Sequence, residues 1–177
     1  IQRMPGKFAR YLSFGIGLLW CTTASSQELL VAAAASLSDA FKELGRQFEA
    51  THSGAKVMFN FAASDVLLRQ IVQGAPVDVF AAADAHAMDG AAAHGALAAG
   101  TRVNFAGNRL VLIAPSESSL KLAALSDLRQ AAVKQIALGQ PAAVPAGRYA
   151  KAALVQASLW QALEQKFIYT QNVRQSL

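Results

Sequence analysis

From Leu29 onward the chain alternates short apolar runs with segments whose apolar residues recur at helical spacing. Leu29–Ala33 is a run suited to a buried strand, and Ser36 and Ser38 after it are candidate helix caps. Leu37, Phe41, Leu44 and Phe48 then recur as one helical face. Val57, Phe59 and Phe61 alternate with Lys56, Met58 and Asn60, the period of a strand. Ser64 and Asp65 are again candidate caps, before an apolar face of Leu67, Leu68, Ile71 and Val72. Gly74-Ala-Pro76 stops that helix, and Val77–Ala81 reads as a third strand. Asp84 is placed to cap an Ala-rich helix that fades at Gly95. A fourth strand is expected at Arg109–Ala114, closed by Pro115. Further on, the pattern predicts a short helix at Ser126-Asp127 and a strand at Ile136–Leu138. A long helix follows from Pro145 to about Trp160, then a strand at Phe167–Tyr169 and a helix capped by Asn172. Strands that alternate with helices build an α/β fold, with mostly parallel sheets flanked by helices.

In such sheets ligands bind beyond the carboxyl ends of the strands, where helices begin. Ser36 and Ser64 occupy two equivalent strand-to-helix turns. Each puts a hydroxyl beside a helix start, whose free N–H groups and dipole favour an anion. For a lone serine before a helix the cap reading wins; two in equivalent positions strengthen the anion reading, but spacing alone still favours caps.

Composition excludes several classes. With 54% hydrophobic and 15% charged residues the chain is a folded protein, and its one cysteine allows no internal disulfide. The net charge of +5 suggests nucleic acid, but Arg3, Lys7 and Arg10 fall in residues 1–26, where there is no acid. The other 151 residues carry 13 basic and 11 acidic side chains, interspersed rather than in a basic stripe, so no nucleic-acid partner is expected. Those three cations precede the apolar run Tyr11–Trp20 and the small residues Cys21–Ser26, the pattern of a secretory signal peptide over residues 1–26. No Gly-x-Ser-x-Gly elbow, phosphate loop or His-Glu-x-x-His is present, and His52, His86 and His94 lack metal-ligand spacing. The chain is expected not to be an enzyme, and to need no cofactor.

Five stretches, taken in order, are specific: Ala32-Ala-Ala-Ala-Ser-Leu37, Phe61-Ala-Ala-Ser-Asp-Val-Leu-Leu-Arg-Gln-Ile71, Gly74-Ala-Pro-Val-Asp-Val-Phe-Ala-Ala-Ala-Asp84, Asn108-Arg-Leu-Val-Leu-Ile-Ala-Pro115 and Val144-Pro-Ala-Gly-Arg-Tyr-Ala-Lys151. Through them the chain resembles the periplasmic molybdate-binding proteins of bacterial ABC importers, the ModA family. The resemblance runs from about Glu28 to Leu177. It implies a two-lobed periplasmic binding protein fold of type II-like architecture, whose C-terminal part would be missing here. Residues 27–107 would form the first lobe and 108–177 the second.

The same resemblance implies a function. The ligand would be molybdate, or tungstate of nearly the same size, held through its oxygens by Ser36, Ser64, Ala146 and Val173. The two serines would donate from hydroxyls, and Ala146 and Val173 from backbone N–H groups. A further tyrosine of the family's site would lie beyond Leu177. Partners would be the oxyanion and a membrane permease, with the protein monomeric in the periplasm. The alternatives are another small oxyanion, sulfate or phosphate, and a shortened chain that does not bind. Asp65 departs from the serine run common in relatives. An inward carboxylate would oppose an anion, so Asp65 is expected to point outward and support its helix. Arg148, Lys151 and Arg174, near the second-lobe contacts, are expected to be ordinary solvated charges rather than a lure for dianions.

Overall fold

The computed structural model describes residues 27–177, so the leader expected at 1–26 lies outside the described residues. Ten regular elements follow in chain order: β1 (Gln27–Ala34), α1 (Ser38–Thr51), β2 (Ala55–Ala62), α2 (Ser64–Val72), β3 (Val79–Ala81), α3 (Ala85–Ala93), β4 (Ile136–Gly139), α4 (Pro145–Gln156), α5 (Trp160–Leu163) and β5 (Phe167–Thr170). They make two sheets, one ordered β2-β1-β3 and one pairing β4 with β5. Every pairing is parallel, as alternating strands and helices require.

β1 is the central strand of the first sheet. Its residues Val31–Ala34 are at most 6% exposed, since helices cover what its two neighbours leave. Alanines serve here because small side chains let helices approach closely. Gly45 does the same from α1, where a β-carbon would stand 2.7 Å from the Phe59 ring. The second sheet has its own apolar cluster, in which Leu138 of β4, Leu154 of α4, Leu163 of α5 and Phe167 of β5 meet. Trp160 completes it, its ring 4.6 Å from that of Phe167.

Several expectations are corrected. Residues Arg109–Ala114 form no strand: they are an exposed coil, with Val111 72% and Ile113 59% exposed. The apolar run has the right residues but, among the described residues, no neighbouring strand to share hydrogen bonds with. The third strand is shorter than its apolar run. Asp78 stands just ahead of it, and its carboxylate accepts the Leu30 N–H at 2.7 Å, so a side chain replaces one rung of the ladder. Neither Ser36 nor Ser64 is a cap. Ser36 sits in a 3-10 turn, Ala35–Leu37, and Ser64 is the first residue of α2. Ser38 does not cap α1 either; it opens the helix as a buried residue whose hydroxyl has no partner. The segments after Ser126 and after Asn172 are 3-10 turns, Leu125–Arg129 and Val173–Ser176, and α4 stops at Gln156, short of Trp160. Asp84 does cap α3, accepting the Ala87 N–H at 3.1 Å.

Candidate oxyanion cleft between the two sheets

The register of the first sheet places the two serines side by side. Ala34 of β1 is the partner of Ala62 of β2, so Ser36 and Ser64 both lie two residues past a paired position. Adjacent strands run about 4.8 Å apart, which brings both turns to the same edge of the sheet. β3 joins them: Ala81 pairs with Ala33, and two residues on, the Ala83 N–H donates to Ser64 Oγ at 2.9 Å. Ser64 is fully buried. Because its oxygen accepts from Ala83, the hydroxyl proton is left to donate elsewhere. Ser36 is exposed at the neighbouring turn.

The second sheet offers main-chain donors at the corresponding end. Gly139 of β4 pairs with Thr170 of β5, and the Gln140 N–H extends the ladder by donating to Thr170 O at 2.9 Å. Past this end, Pro145 opens α4 as its first residue, a position that spares the missing N–H of proline. Ala146 follows in the first turn, where N–H groups have no partner within the helix. Gly147 is dictated by packing: a β-carbon there would stand 1.9 Å from the carbonyl oxygen of Gly139. The first turn of α4 is thus pressed against the end of β4, which fixes the Ala146 amide. Val173 begins the 3-10 turn whose cap, the Asn172 carboxamide, accepts the Gln175 N–H at 3.1 Å.

Ser36, Ser64, Ala146 and Val173 all line one cleft of about 1120 Å³. Two come from turns after the first sheet and two from turns after the second, so the cleft lies between the two sheets. Its remaining wall is largely apolar, with Phe41, Val79 and Phe105 among the lining residues. Among the described residues no three His, Cys, Asp or Glu side chains gather as a metal site. The arrangement suits an anion whose oxygens accept hydrogen bonds from neutral groups.

Asp65 is the main correction in this region. It does not point outward to solvent: its side chain is 10% exposed and turns toward Arg148 of α4. The two Arg148 nitrogens donate to its carboxylate at 2.5 and 3.1 Å, and one also donates to Asp84 at 2.6 Å. Arg148 is therefore not a solvated helix charge. The two carboxylates raise its guanidinium pKa further above the ordinary arginine value. Sequence reasoning missed this triad because its members are 83 and 64 residues apart. The odd Asp in a serine run was the available signal. Arg174, in the turn after β5, also reaches across to pair with Asp39 of α1, and Lys151 lies over the Trp160 ring at 5.4 Å from its centre. All three histidines are exposed.

Residues 29–177 match the family described as bacterial extracellular solute-binding protein. The chain belongs to this family. Its relatives include the molybdate-binding protein ModA of Escherichia coli (strain K12), 37% identical over 158 residues that make up 87% of this chain and 61% of that one. Among solved structures, the substrate-binding domain of a Clostridium difficile ABC transporter assigned to molybdenum is 35% identical. It superposes with a TM-score of 0.60 over 85% of this chain and 65% of that one. The Azotobacter vinelandii periplasmic molybdate-binding protein, 20% identical, shares the fold with a TM-score of 0.66 over 84% of this chain and 64% of its own. The chain thus spans less than two thirds of the length of these family members.

Proposed function

We propose that this member of the solute-binding family captures molybdate, with tungstate as an equivalent guest, and hands it to the membrane permease of an ABC importer. The protein acts as an exported monomer in the periplasm, and its two units, 27–107 and 108–177, are the lobes between which the ion is held. The hydroxyls of Ser36 and Ser64 and the backbone N–H groups of Ala146 and Val173 are its ligands. One observation carries this reading: four residues from four separate turns line a single cleft at the carboxyl ends of both sheets.

The chemistry fits a tetrahedral dianion. Its four oxygens only accept, so the site must supply donors and no acceptor that the ligand would have to satisfy. Neutral donors also spare the site a buried cation that would stand unpaired when no ligand is bound, which would be costly. A charge-assisted hydrogen bond contributes about 1.5–3 kcal/mol, so four of them, partly offset by desolvation, reach the roughly 8 kcal/mol of micromolar binding. Sulfate has the same charge and shape but is smaller. Donors fixed on rigid turns would fall short of its oxygens, and unmade buried hydrogen bonds discriminate. Phosphate carries a proton near neutral pH and rewards a free acceptor, a role closed to Asp65 while Arg148 holds it.

Calorimetric titration with molybdate, tungstate, sulfate and phosphate tests the proposal. Molybdate and tungstate should bind alike, with sulfate and phosphate weaker by about tenfold or more. Sulfate binding as tightly as molybdate, or no heat with any of the four, would overturn it.

A further inference from the structure

The triad of Arg148, Asp65 and Asp84 is a bridge between the two units, placed beside two of the four proposed ligand residues, Ser64 and Ala146. Asp65 adjoins Ser64, Asp84 adjoins Ala83, whose N–H is held by the Ser64 hydroxyl, and Arg148 lies two residues past Ala146. The side chains of Asp65 and Asp84 are 10% and 3% exposed, and that of Arg148 is 24% exposed. Asp65 does not line the cleft, while Asp84, which does, spends one oxygen on the α3 cap and the other on Arg148. The guanidinium fork meets Asp65 with two nitrogens, a geometry that fixes orientation as well as charge.

We propose that Arg148 is a positioning residue for anion capture: it ties α4 to the starts of α2 and α3 and cancels carboxylate charge that would otherwise repel the ligand. This rests on the oxyanion reading for its ligand and deepens it. Two consequences follow from one contact. Tying the helix starts together holds the Ala146 amide and the Ser64 hydroxyl at a fixed separation across the cleft. Neutralising Asp65 removes the field of a buried carboxylate one residue from a donor to a dianion, where screening by water is weak. Arg148 is the one cation facing two carboxylates, so its removal leaves both Asp65 and Asp84 uncompensated beside the cleft. The other charged groups at the triad are few: His86 Nδ1 lies 3.9 Å from Asp65 on its exposed side. The second crossing pair, Arg174 with Asp39, is far more exposed and makes a weaker tie.

The test compares Arg148→Gln, Asp65→Asn and the double variant carrying both, each titrated with molybdate, alongside the separation of the two units in the absence of ligand. That separation is read from probes on cysteines introduced at exposed Lys56 and Gln161, with Cys21 replaced by Ser. Arg148→Gln should weaken molybdate by about tenfold or more, because it leaves both Asp65 and Asp84 without a cationic partner. The double variant should recover at least about threefold of that loss, since its two amides keep a hydrogen bond and Asp84 alone is left without its cationic partner. Arg148→Gln should also lengthen or broaden the separation of the probes. A double variant as weak as Arg148→Gln overturns the proposal, as does an unchanged probe separation. A purely structural role would lower melting temperature in all three variants while leaving their affinities equal, which also overturns it. If the parent chain binds no oxyanion, the functional reading falls, and the probe separation alone decides whether Arg148 ties the units.

Discussion

Replacing Ser64 with alanine separates what the residue does for the fold from what it does for the ligand. The hydroxyl is fully buried and accepts the Ala83 N–H at 2.9 Å, so its loss orphans a buried donor. An unmade buried hydrogen bond costs about 1–3 kcal/mol of stability. For a domain of this size that is a drop of roughly 2–12 °C in melting temperature. Its remaining proton is the one offered to the ligand. Losing one charge-assisted donor, about 1.5–3 kcal/mol, should raise the molybdate dissociation constant by roughly 10- to 150-fold. Ser36→Ala is the control: Ser36 is exposed, so the substitution should weaken molybdate over a similar range and leave melting within about 0.5 kcal/mol of the parent. Calorimetry and thermal melting on the two variants give the four numbers. If Ser64→Ala melts low but binds molybdate as well as the parent, the hydroxyl is only a structural acceptor and the reasoning fails.

Three other outcomes are expected. Gly147→Ala forces a β-carbon against the Gly139 carbonyl, 1.9 Å away, so it should cost about 1–3 kcal/mol in denaturant melts and also weaken molybdate by moving the Ala146 amide. A variant that melts and binds like the parent would show that α4 can slide off β4 freely. Leu163→Ala, in a fully buried position of the second apolar cluster, should cost about 2–5 kcal/mol in urea unfolding; a cost under about 1 kcal/mol would deny the second sheet a core of its own. Asp127 accepts the N–H groups of Ala124 and Ala123, and these hold its pKa below the ordinary 3.8. A carboxyl lowered on folding stabilises above its unfolded value and loses that contribution as pH falls through the folded one. The melting advantage of the parent over Asp127→Asn should therefore be present at neutral pH and shrink as the pH falls below 3.8, whereas an advantage independent of pH would mean that charge plays no part.

Much of the fold was legible because strands and helices leave different periods in the chain. Val57, Phe59 and Phe61 could only alternate across a sheet, and Leu67, Leu68 and Ile71 could only share a helix face. Termini were harder. Ser36 and Ser64 look like caps in sequence, yet the chain turns one residue earlier or later, and whether a hydroxyl folds back on its own helix depends on neighbours such as Ala83. The run Arg109–Ala114 shows the reverse limit: β propensity is a property of residues, but a strand is a property of a pair. Within the proposed site, the serines were raised as candidates by their matching places after strands, and the amides of Ala146 and Val173 only through resemblance, since any residue but proline has an N–H. The Arg148 triad could not be read at all, because ion pairs spanning 83 residues depend on how the two units face each other. Asp65 alone carried a hint, and the expectation drawn from it had the wrong direction.

The central claim is that uncharged donors from both sheets converge on one tetrahedral guest. A crystal structure of the molybdate-soaked protein, with the metal located by its anomalous scattering, tests it most directly. A single strong peak should stand where its oxygens fall within about 3.2 Å of Ser36 Oγ, Ser64 Oγ and the amides of Ala146 and Val173. A peak held by lysine or arginine side chains elsewhere, or by only one of the two units, would contradict it.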